Sequence, residues 1–265
     1  DYYASRGLGD VYKRQNHKHA IAIWKYIKEH DKGITNFHFE VAADLLNEEE
    51  LKLIESMRPG LIQLEIGVQS TNEQTIREIR RTMRFEEVAR IVQRINQGEN
   101  VHQHLDLIAG LPYEDMESFQ KSFDDVYRLH PEQLQLGFLK VLKGSYMESQ
   151  KERYGLVYKS RPPYEVLYTK WLSYEEMMQL KSVEEMVEVY YNSGQFSYCL
   201  RKLEEEYASP FVLYQGLGRY YENHELHLMS HSRITRYEIL LGFIREKHKE
   251  RESLYRELLT FDLYL

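Results

Sequence analysis

Cysteine is almost absent from this chain, in which Cys199 is the only one among 265 residues. A single thiol excludes internal disulfides and any thiolate cluster supplied by this chain alone. The sequence also lacks an unbroken apolar run of the about 18 residues that a membrane-spanning helix needs. Residues 1–15 do not contain the apolar central segment of a signal peptide. We therefore expect a cytoplasmic location and no membrane partner.

An excess of positive charge is missing as well. The 35 lysines and arginines are outnumbered by 42 aspartates and glutamates, and the formal net charge is −7. Proteins that bind nucleic acid without sequence preference rely on basic surfaces to neutralise phosphates, so we expect no nucleic-acid partner. Hydrophobic residues make up 42% of the chain, which is enough to build a packed core.

Four segments have the length and composition of strands, and each is followed by a turn and a helical pattern. They are residues 36–43, 61–70, 104–112 and 133–142. Strands that alternate with helices predict a parallel sheet or barrel. Four strands leave an open edge, which invites pairing or aggregation. We therefore expect further strands upstream, although a helix covering that edge would also complete the sheet.

The character of the sequence changes after Gly144, where strand patterns stop and helical patterns dominate. Sixteen of the 22 tyrosines lie from Tyr146 onward. Arg161–Pro163 has the composition of a linker. The helices predicted here cover 174–191, 196–206, 209–222 and 233–259. We predict a barrel part over 16–145 and a helical, tyrosine-rich domain over 146–265, in which most tyrosines serve packing instead of recognition.

Residues 1–15 show neither the helical nor the strand period. Residues 10–15 resemble the translation of a transposon end that is used to prepare sequencing libraries. We interpret the segment as a non-native scar and exclude it from fold reasoning; an ordinary disordered terminus is the alternative. In either case we expect the native gene to begin upstream of Asn16.

Polar residues stand at the ends of the predicted strands. In barrels of alternating strands and helices, residues at the carboxyl ends of the strands form the active site. The residues at these ends are Glu40, Glu65, Gln69, Asp106 and Lys140. A polar residue at such an end is a better functional candidate than one on a helix surface.

Two of these strand ends resemble a known family. Gly67–Ser70 and Asp106–Pro112 are similar to the fourth- and fifth-strand signatures of the radical S-adenosylmethionine superfamily, in its oxygen-independent coproporphyrinogen oxidase and cobalamin-binding branches. The resemblance covers residues 17–145. It implies an α/β fold with four of about six parallel strand–helix units of a partial (β/α) barrel. The tyrosine-rich tail looks like the helical C-terminal extension of one cobalamin-binding family.

The resemblance implies a set of residues that bind S-adenosylmethionine, while catalytic residues stay unassigned. The set is Glu40, Gln69, Arg81, Asp106, Gly110 and Lys140. Glu40 matches a carboxylate near the methionine part of the cofactor, and Gln69 matches a glutamine that contacts the cofactor. Arg81 matches an arginine that can pair with the carboxylate of the cofactor through two hydrogen bonds.

The remaining three positions match the nucleoside part of the cofactor and the chain around it. Asp106 matches a residue at the ribose hydroxyls, where a carboxylate can accept two hydrogen bonds. Lys140 lies where the sixth strand lines the adenine site through its backbone. Gly110 fits a place where the chain approaches the ligand closely.

Simpler interpretations exist for these side chains. Glu40 and Asp106 are also suited to capping helices or forming salt bridges, and Gln69 is suited to capping the helix after it. Arg81 lies in a basic run that is typical of a solvated helix face. The neighbouring Arg80 is the alternative residue for the role assigned to Arg81.

Other strand residues carry weaker signals. Glu65 alternates with apolar residues and is interpreted as a buried, paired carboxylate, ranked below the ligand candidates. His102 and His104 share one face of a strand, as metal ligands would. No third ligand lies near them in the sequence, and we predict no metal site.

The sequence departs from the family in one respect that bears on activity. The family holds a [4Fe–4S] cluster with a Cys-x-x-x-Cys-x-x-Cys loop, which this chain does not contain, and Cys199 cannot replace three thiolates. We predict a fragment of an enzyme that uses S-adenosylmethionine, a [4Fe–4S] cluster and cobalamin. The intact parent would cleave the first of these to a 5′-deoxyadenosyl radical, with a small-molecule or unknown substrate. The chain alone is expected to be inactive.

Two alternatives from other functional classes stay open. One is a non-catalytic binding protein with a degenerate barrel, which the missing cysteines favour. The other is a cofactor-free barrel enzyme with Glu40 and Asp106 as acid and base, which requires both carboxylates to face one pocket.

Overall fold

The computed structural model describes residues 16–265. Residues 1–15, interpreted above as a scar, lie outside the described part. The chain divides into two compact units, of which the first ends at Tyr174 and the second begins at Glu175. The domain boundary expected after residue 145 stays a prediction.

The first unit is built on a sheet of four parallel strands in the order β1-β2-β3-β4. The strands are β1 (Phe37–Val41), β2 (Ile62–Gln69), β3 (His102–Ala109) and β4 (Gln133–Phe138). Among residues 16–265 the sheet does not close on itself, because β1 and β4 are edge strands. The architecture confirms the predicted α/β fold with a partial (β/α) barrel and a helical C-terminal part.

One helix precedes β1, and helices lie between consecutive strands, as parallel pairing requires. They are α1 (His17–His30), α2 (Glu48–Glu55), α3 (Glu73–Glu78), α4 (Phe85–Asn96) and α5 (Met116–Tyr127), with a 3₁₀ turn at Ala43–Leu45. Helix α2 shows why such a helix begins where it does. The Asn47 side chain accepts hydrogen bonds from the backbone N–H groups of Glu49 and Glu50, and Glu50 reaches back to the Asn47 N–H. This capping box satisfies donors that the first turn would otherwise leave unpaired.

The two faces of the sheet differ in polarity. Along β2 the apolar side chains are fully buried and alternate with the half-buried Gln63, Glu65, Gly67 and Gln69. Trp24 of α1 packs edge-on against Phe39 of β1, with ring centroids 5.9 Å apart. The helices therefore cover one face, and the core lies there. Each buried Ile, Leu or Val contributes about 1.5–3 kcal/mol. The polar alternates face the other side.

A small hairpin follows the main sheet. After the short helices α6 (Tyr146–Ser149) and α7 (Lys151–Tyr154), strands β5 (Val157–Tyr158) and β6 (Val166–Tyr168) pair antiparallel. The expectation that no strand follows Gly144 is therefore wrong, since strands this short show no usable alternation. Arg161–Pro163 lies in the connection between the two strands. Backbone hydrogen bonds from Val141 to Tyr164 and from Val166 to Leu139 tie the hairpin to the chain beyond β4.

The second unit is helical. Its elements are α8 (Tyr174–Met186, of which Tyr174 belongs to the first unit), a π-helical turn (Val187–Asn192), α9 (Ser197–Glu204), α10 (Pro210–Asn223), a 3₁₀ turn (Leu226–Leu228), α11 (Arg233–Lys247), a second 3₁₀ turn (Lys249–Arg251) and α12 (Glu252–Tyr264). The helix predicted over 233–259 is thus two helices. Their break falls at His248, whose Nε2 lies 3.3 Å from the Tyr207 hydroxyl. This tertiary contact competes with the local helical pattern.

Tyrosines contribute much of the core of the second unit. Tyr190, Tyr214 and Tyr255 are fully buried, and the hydroxyls of Tyr190 and Tyr221 lie 2.9 Å apart. Mutual hydrogen bonding allows these rings to be buried without leaving a polar atom unpaired. No helix within residues 16–265 combines the length and apolarity that crossing a bilayer requires.

Candidate functional site

A cavity of about 860 Å³ opens at the carboxyl ends of the four parallel strands. Five of the six residues predicted to bind the cofactor line it, namely Glu40, Gln69, Arg81, Asp106 and Lys140. Gly110 is not among the lining residues; it follows β3 with a φ of +88°, a conformation that suits glycine. The structure therefore brings together side chains from four strand ends, while their role as ligands stays a prediction.

The end of strand β2 is deformed where Gln69 enters the cavity. The pairing with β3 shifts register between Gly67 and Gln69, and Gln69 has a φ of +70°. A non-glycine residue rarely adopts this left-handed conformation, and such strain concentrates at functional sites. The Gln69 Oε1 atom is buried, and no described residue gives it a hydrogen bond. The bulge therefore aims an amide with free bonding capacity into the cavity.

Gly67 makes room for this amide. A Cβ atom on Gly67 would lie 2.4 Å from Gln69 Nε2, which is closer than real Cβ contacts come. The Gly67 carbonyl accepts a hydrogen bond of 2.7 Å from Arg81 Nη1, so the backbone of β2 holds the guanidinium at the cavity wall. The neighbouring Arg80 does not line the cavity; its guanidinium carbon lies 3.7 Å from the centre of the Tyr146 ring. The cavity is thus lined by Arg81 and not by the neighbouring Arg80.

Acidic side chains dominate the charge of the cavity. Glu40, Asp44, Glu65 and Asp106 line it, against the basic Arg81 and Lys140. Burial raises the pKa of Asp106, and the neighbouring Glu65 and Glu40 carboxylates raise it further, while Arg81 opposes them. No described residue makes a hydrogen bond to Asp106 Oδ1, which is buried. A cation that entered the cavity would relieve the repulsion among these carboxylates.

A buried hydroxyl cluster supports the turn after β2, and sequence analysis missed it. Glu114 Oε1 accepts hydrogen bonds from Ser70 Oγ at 2.6 Å and from Ser122 Oγ at 2.9 Å. Ser122 Oγ in turn accepts from the Thr71 N–H at 3.0 Å. Burial raises the pKa of Glu114 to about 7. An acid just before a helix normally indicates an exposed cap, so no sequence signal marks Glu114 as buried.

Lys140 is held by its backbone. The residue forms an isolated antiparallel bridge with Glu165, and its side chain is exposed. The neighbouring Leu139 N–H donates to the Ala109 carbonyl at 2.9 Å, which carries the chain past the end of β3. The backbone at residue 140 is therefore fixed at the cavity rim independently of its side chain.

The residues of this chain suit a charged nucleoside ligand but not an iron–sulfur cluster, two of the cofactors that the resemblance implies. Iron–sulfur clusters are held by cysteine thiolates, but Cys199 is the only cysteine, and it is buried in helix α9 of the second unit. Burial raises the pKa of its thiol well above the usual range, which opposes thiolate formation. The cavity, in contrast, presents carboxylates, an amide with an unpartnered oxygen and a guanidinium, which are the groups that a charged nucleoside derivative needs.

Strand register also brings together three residues that lie far apart in the sequence. Ligand atoms of His38, Glu65 and His104 all lie within 4.8 Å of one another. His104 was noted above as one of two strand histidines, but its neighbours come from β1 and β2, and the register that joins them cannot be read from periodicity alone.

Two sequence-family models match different parts of the chain. Residues 13–126 match the sequence model described as "Radical SAM superfamily". Residues 152–265 match a second model, described as "Protein of unknown function (DUF4080)". No curated protein matches the chain.

Several solved structures are similar to part of this chain. The methyltransferase TsrM from Kitasatospora setae, with cobalamin and [4Fe-4S] cluster bound, is 15% identical with a TM-score of 0.43, over 54% of this chain and 27% of that one. Coproporphyrinogen III oxidase (HemN) from Escherichia coli is 21% identical with a TM-score of 0.40, over 46% and 28%. The archaeal Elp3 of Methanocaldococcus infernus is 18% identical with a TM-score of 0.37, over 44% and 27%.

In each case the matched region spans little more than a quarter of the solved chain. Within this chain, residues 13–126 are therefore similar to the radical S-adenosylmethionine superfamily.

Proposed function

We propose that the cavity at the strand ends binds S-adenosylmethionine, and that the chain is part of a radical enzyme whose iron–sulfur cluster is ligated outside it. One observation carries the proposal. Side chains from four separate strand ends, which the family resemblance implies as cofactor ligands, line a single cavity. Its volume of about 860 Å³ lies within the range of about 300–1,000 Å³ that is usual for small-molecule sites.

Charge complementarity supports this ligand. S-adenosylmethionine has a sulfonium and an ammonium group against one carboxylate, so it is a net cation. Four acidic residues of the cavity face two basic ones. The proposed contacts follow from this charge distribution. Glu40 accepts from the ammonium group, Arg81 donates to the carboxylate, and Asp106 accepts from the ribose hydroxyls. Gln69 supplies its unpartnered amide oxygen as a further acceptor.

The work of this chain is therefore binding and orientation. In the intact parent the bound cofactor would supply a carbon radical, and the protein would hold it and exclude water. This chain provides no cluster ligands, so we propose that it is inactive alone. Cobalamin binding by the parent is a further part of the proposal and rests on the two strand motifs, Gly67–Ser70 and Asp106–Pro112. The substrate stays open.

Calorimetric titration of the chain with S-adenosylmethionine and with S-adenosylhomocysteine tests the proposal. The second compound lacks the methyl group and hence the sulfonium charge. We expect saturable binding of one S-adenosylmethionine per chain and weaker binding of S-adenosylhomocysteine, because the acidic cavity favours the cation. No saturable binding at millimolar concentrations of either ligand would refute the proposal.

Variants locate the binding within the molecule. Glu40→Gln and Asp106→Asn should each weaken binding about tenfold or more, which corresponds to about 1.4 kcal/mol, the scale of a charge-assisted hydrogen bond. Glu73→Gln is the matched control, since Glu73 lies on α3 with its side chain 88% exposed and does not line the cavity. Equal losses in all three variants would mean that binding does not occur at the strand ends.

The same cavity favours one other candidate. Glu40 and Asp106 both face it, and the raised pKa of Asp106 suits a general acid, as a cofactor-free acid–base enzyme would require. The titration separates the two functions, because an enzyme of this kind has no reason to bind either compound saturably.

A further inference from the structure

Three adjacent strands each contribute one potential metal ligand to the same point on the polar face of the sheet. His38 comes from β1, Glu65 from β2 and His104 from β3. Glu65 pairs in register with His104, and its neighbour on the other side is Glu40, two residues beyond His38. One ligand atom from each of the three residues lies within 4.8 Å of the other two.

The ligand types are those of a known class of metal site. Two imidazoles and one carboxylate hold catalytic zinc, and the same set with open positions holds non-haem iron. Bond lengths of about 2.0–2.2 Å place neighbouring ligand atoms about 3.4 Å apart in a tetrahedral site. The His38 Nε2 to Glu65 Oε2 distance is already 3.0 Å. The ligand atom of the third side chain lies within 4.8 Å of the other two, so it would approach them by up to about 1.4 Å to complete the set.

His104 gives a second, independent indication. Its residue is only 7% exposed, yet neither ring nitrogen has a partner of good hydrogen-bond geometry among residues 16–265, although the Gln135 side chain is a polar neighbour of hydrogen-bonding type. Its nearest carboxylate oxygen, Asp106 Oδ1, lies 3.6 Å from Nε2, which is too long for a hydrogen bond. Buried polar groups are normally satisfied, and an exception indicates an absent water or ion.

Contacts among the described residues do not by themselves explain why His38, Glu65 and His104 lie together. A salt bridge accounts for His38 and Glu65, whose side chains are 46% and 28% exposed. It does not account for His104, which points an unsatisfied ring at the same place. Another histidine–carboxylate pair, His224 and Glu246 at 2.9 Å, lies on the second unit and is an ordinary exposed ion pair.

We propose that His38, Glu65 and His104 bind one divalent transition-metal ion of the zinc type, with a remaining position for water. Glu65 lines the cavity and lies level with Glu40 and His104 in the strand register, while His38 lies two strand residues, about 6–7 Å, deeper. Because its ligands come from three strands, a bound ion would cross-link β1, β2 and β3. The proposal concerns residues other than the proposed cofactor ligands and does not require that S-adenosylmethionine binds.

The test uses the untagged 265-residue chain, freed of metal by a chelator. Zn²⁺ is titrated in competition with a chromophoric chelator, and Co²⁺ is added separately as a spectroscopic probe. We expect one Zn²⁺ per chain with a micromolar or lower Kd, and Co²⁺ absorption bands of a four- or five-coordinate ion. We also expect the unfolding temperature to rise with Zn²⁺, because a ligand that binds only the folded state stabilises it.

Substitutions assign the ligands. His38→Ala, Glu65→Gln and His104→Ala should each weaken Zn²⁺ binding at least about a hundredfold, since loss even of groups behind the ligands costs about 10–100-fold. His38 is exposed, so His38→Ala keeps the test valid if the buried His104→Ala variant does not fold. His224→Ala is the matched control and should bind Zn²⁺ as the parent chain does.

Two results would overturn the assignment. One is a Zn²⁺ affinity weaker than millimolar, with no Co²⁺ spectrum. The other is binding that survives both His38→Ala and Glu65→Gln, or that falls equally in the His224→Ala control.

Discussion

Replacing Glu114 by glutamine should remove a pH dependence from the stability of the first unit. Glu114 is fully buried, and burial raises the pKa of its carboxyl from the usual 4.5 to about 7. Ser70 and Ser122 donate to Oε1, but Oε2 is buried without a hydrogen-bond partner among the described residues. The two serine hydroxyls therefore offset only part of the cost of burying the charge.

The sign of the effect follows from the two pKa values. The folded-state pKa lies above the unfolded-state value, so the contribution of Glu114 to stability is fully present below pH 4.5. It is lost as the pH rises towards 7, because the folded state must then hold a buried charge. Each pKa unit corresponds to about 1.4 kcal/mol, so the rise from 4.5 to about 7 corresponds to about 3 kcal/mol of unfolding free energy.

Urea denaturation followed by tryptophan fluorescence measures this effect in the right part of the molecule. The two tryptophans, Trp24 and Trp171, both lie in the first unit. We expect the unfolding free energy of the parent chain to fall by about 3 kcal/mol relative to Glu114→Gln between pH 4.5 and 8. Glu117→Gln, at an exposed position of helix α5, which begins two residues after Glu114, is the control and should follow the parent. Parallel curves for the parent and Glu114→Gln over this range would refute the reasoning.

Three further predictions concern other contacts. Gly67→Ala should displace the Gln69 side-chain amide, because the new Cβ would lie 2.4 Å from its nitrogen. We expect calorimetry to show S-adenosylmethionine binding weakened about tenfold, while the unfolding midpoint detected by tryptophan fluorescence changes little. Unchanged affinity would contradict the role of the amide. Asp262→Ala should destabilise the second unit by about 1–2 kcal/mol, because both carboxylate oxygens accept backbone N–H groups at the start of α9; urea unfolding followed by circular dichroism measures it, and an unchanged transition would count against the cap. Arg58→Ala should return the pKa of Asp31 from about 2 towards its usual 3.8, since the hydrogen bonds from that guanidinium lower it; carboxyl NMR titration would show no change if the account is wrong.

The sequence predicted the sheet well because each parallel strand is a short apolar run followed by a helical pattern. Periodicity placed Glu40 next to the end of β1 and Asp106 in the carboxyl-terminal half of β3, and parallel pairing is sufficient to bring these parts of the strands to one edge. The assignment of Arg81 instead of Arg80 came from the family resemblance, and the structure places Arg81 at the cavity wall.

Features that depend on register or tertiary contacts could not be predicted. The shift in strand pairing between Gly67 and Gln69 changes where the Gln69 side-chain amide points. The alternation of polar and apolar residues along a strand does not encode such a shift. His38 and His104 are separated by two strand–helix units, so their approach requires the register of three strands. The hairpin of β5 and β6 has strands of two and three residues, too short to leave a pattern.

The most direct test of the proposed function is a crystal structure of the chain grown with S-adenosylmethionine. The account predicts ligand density in the cavity at the strand ends, with the ribose beside Asp106 and the amino acid part between Glu40 and Arg81. Density on the helix-covered face of the sheet, or an empty cavity in crystals of a chain shown to bind the ligand, would contradict it.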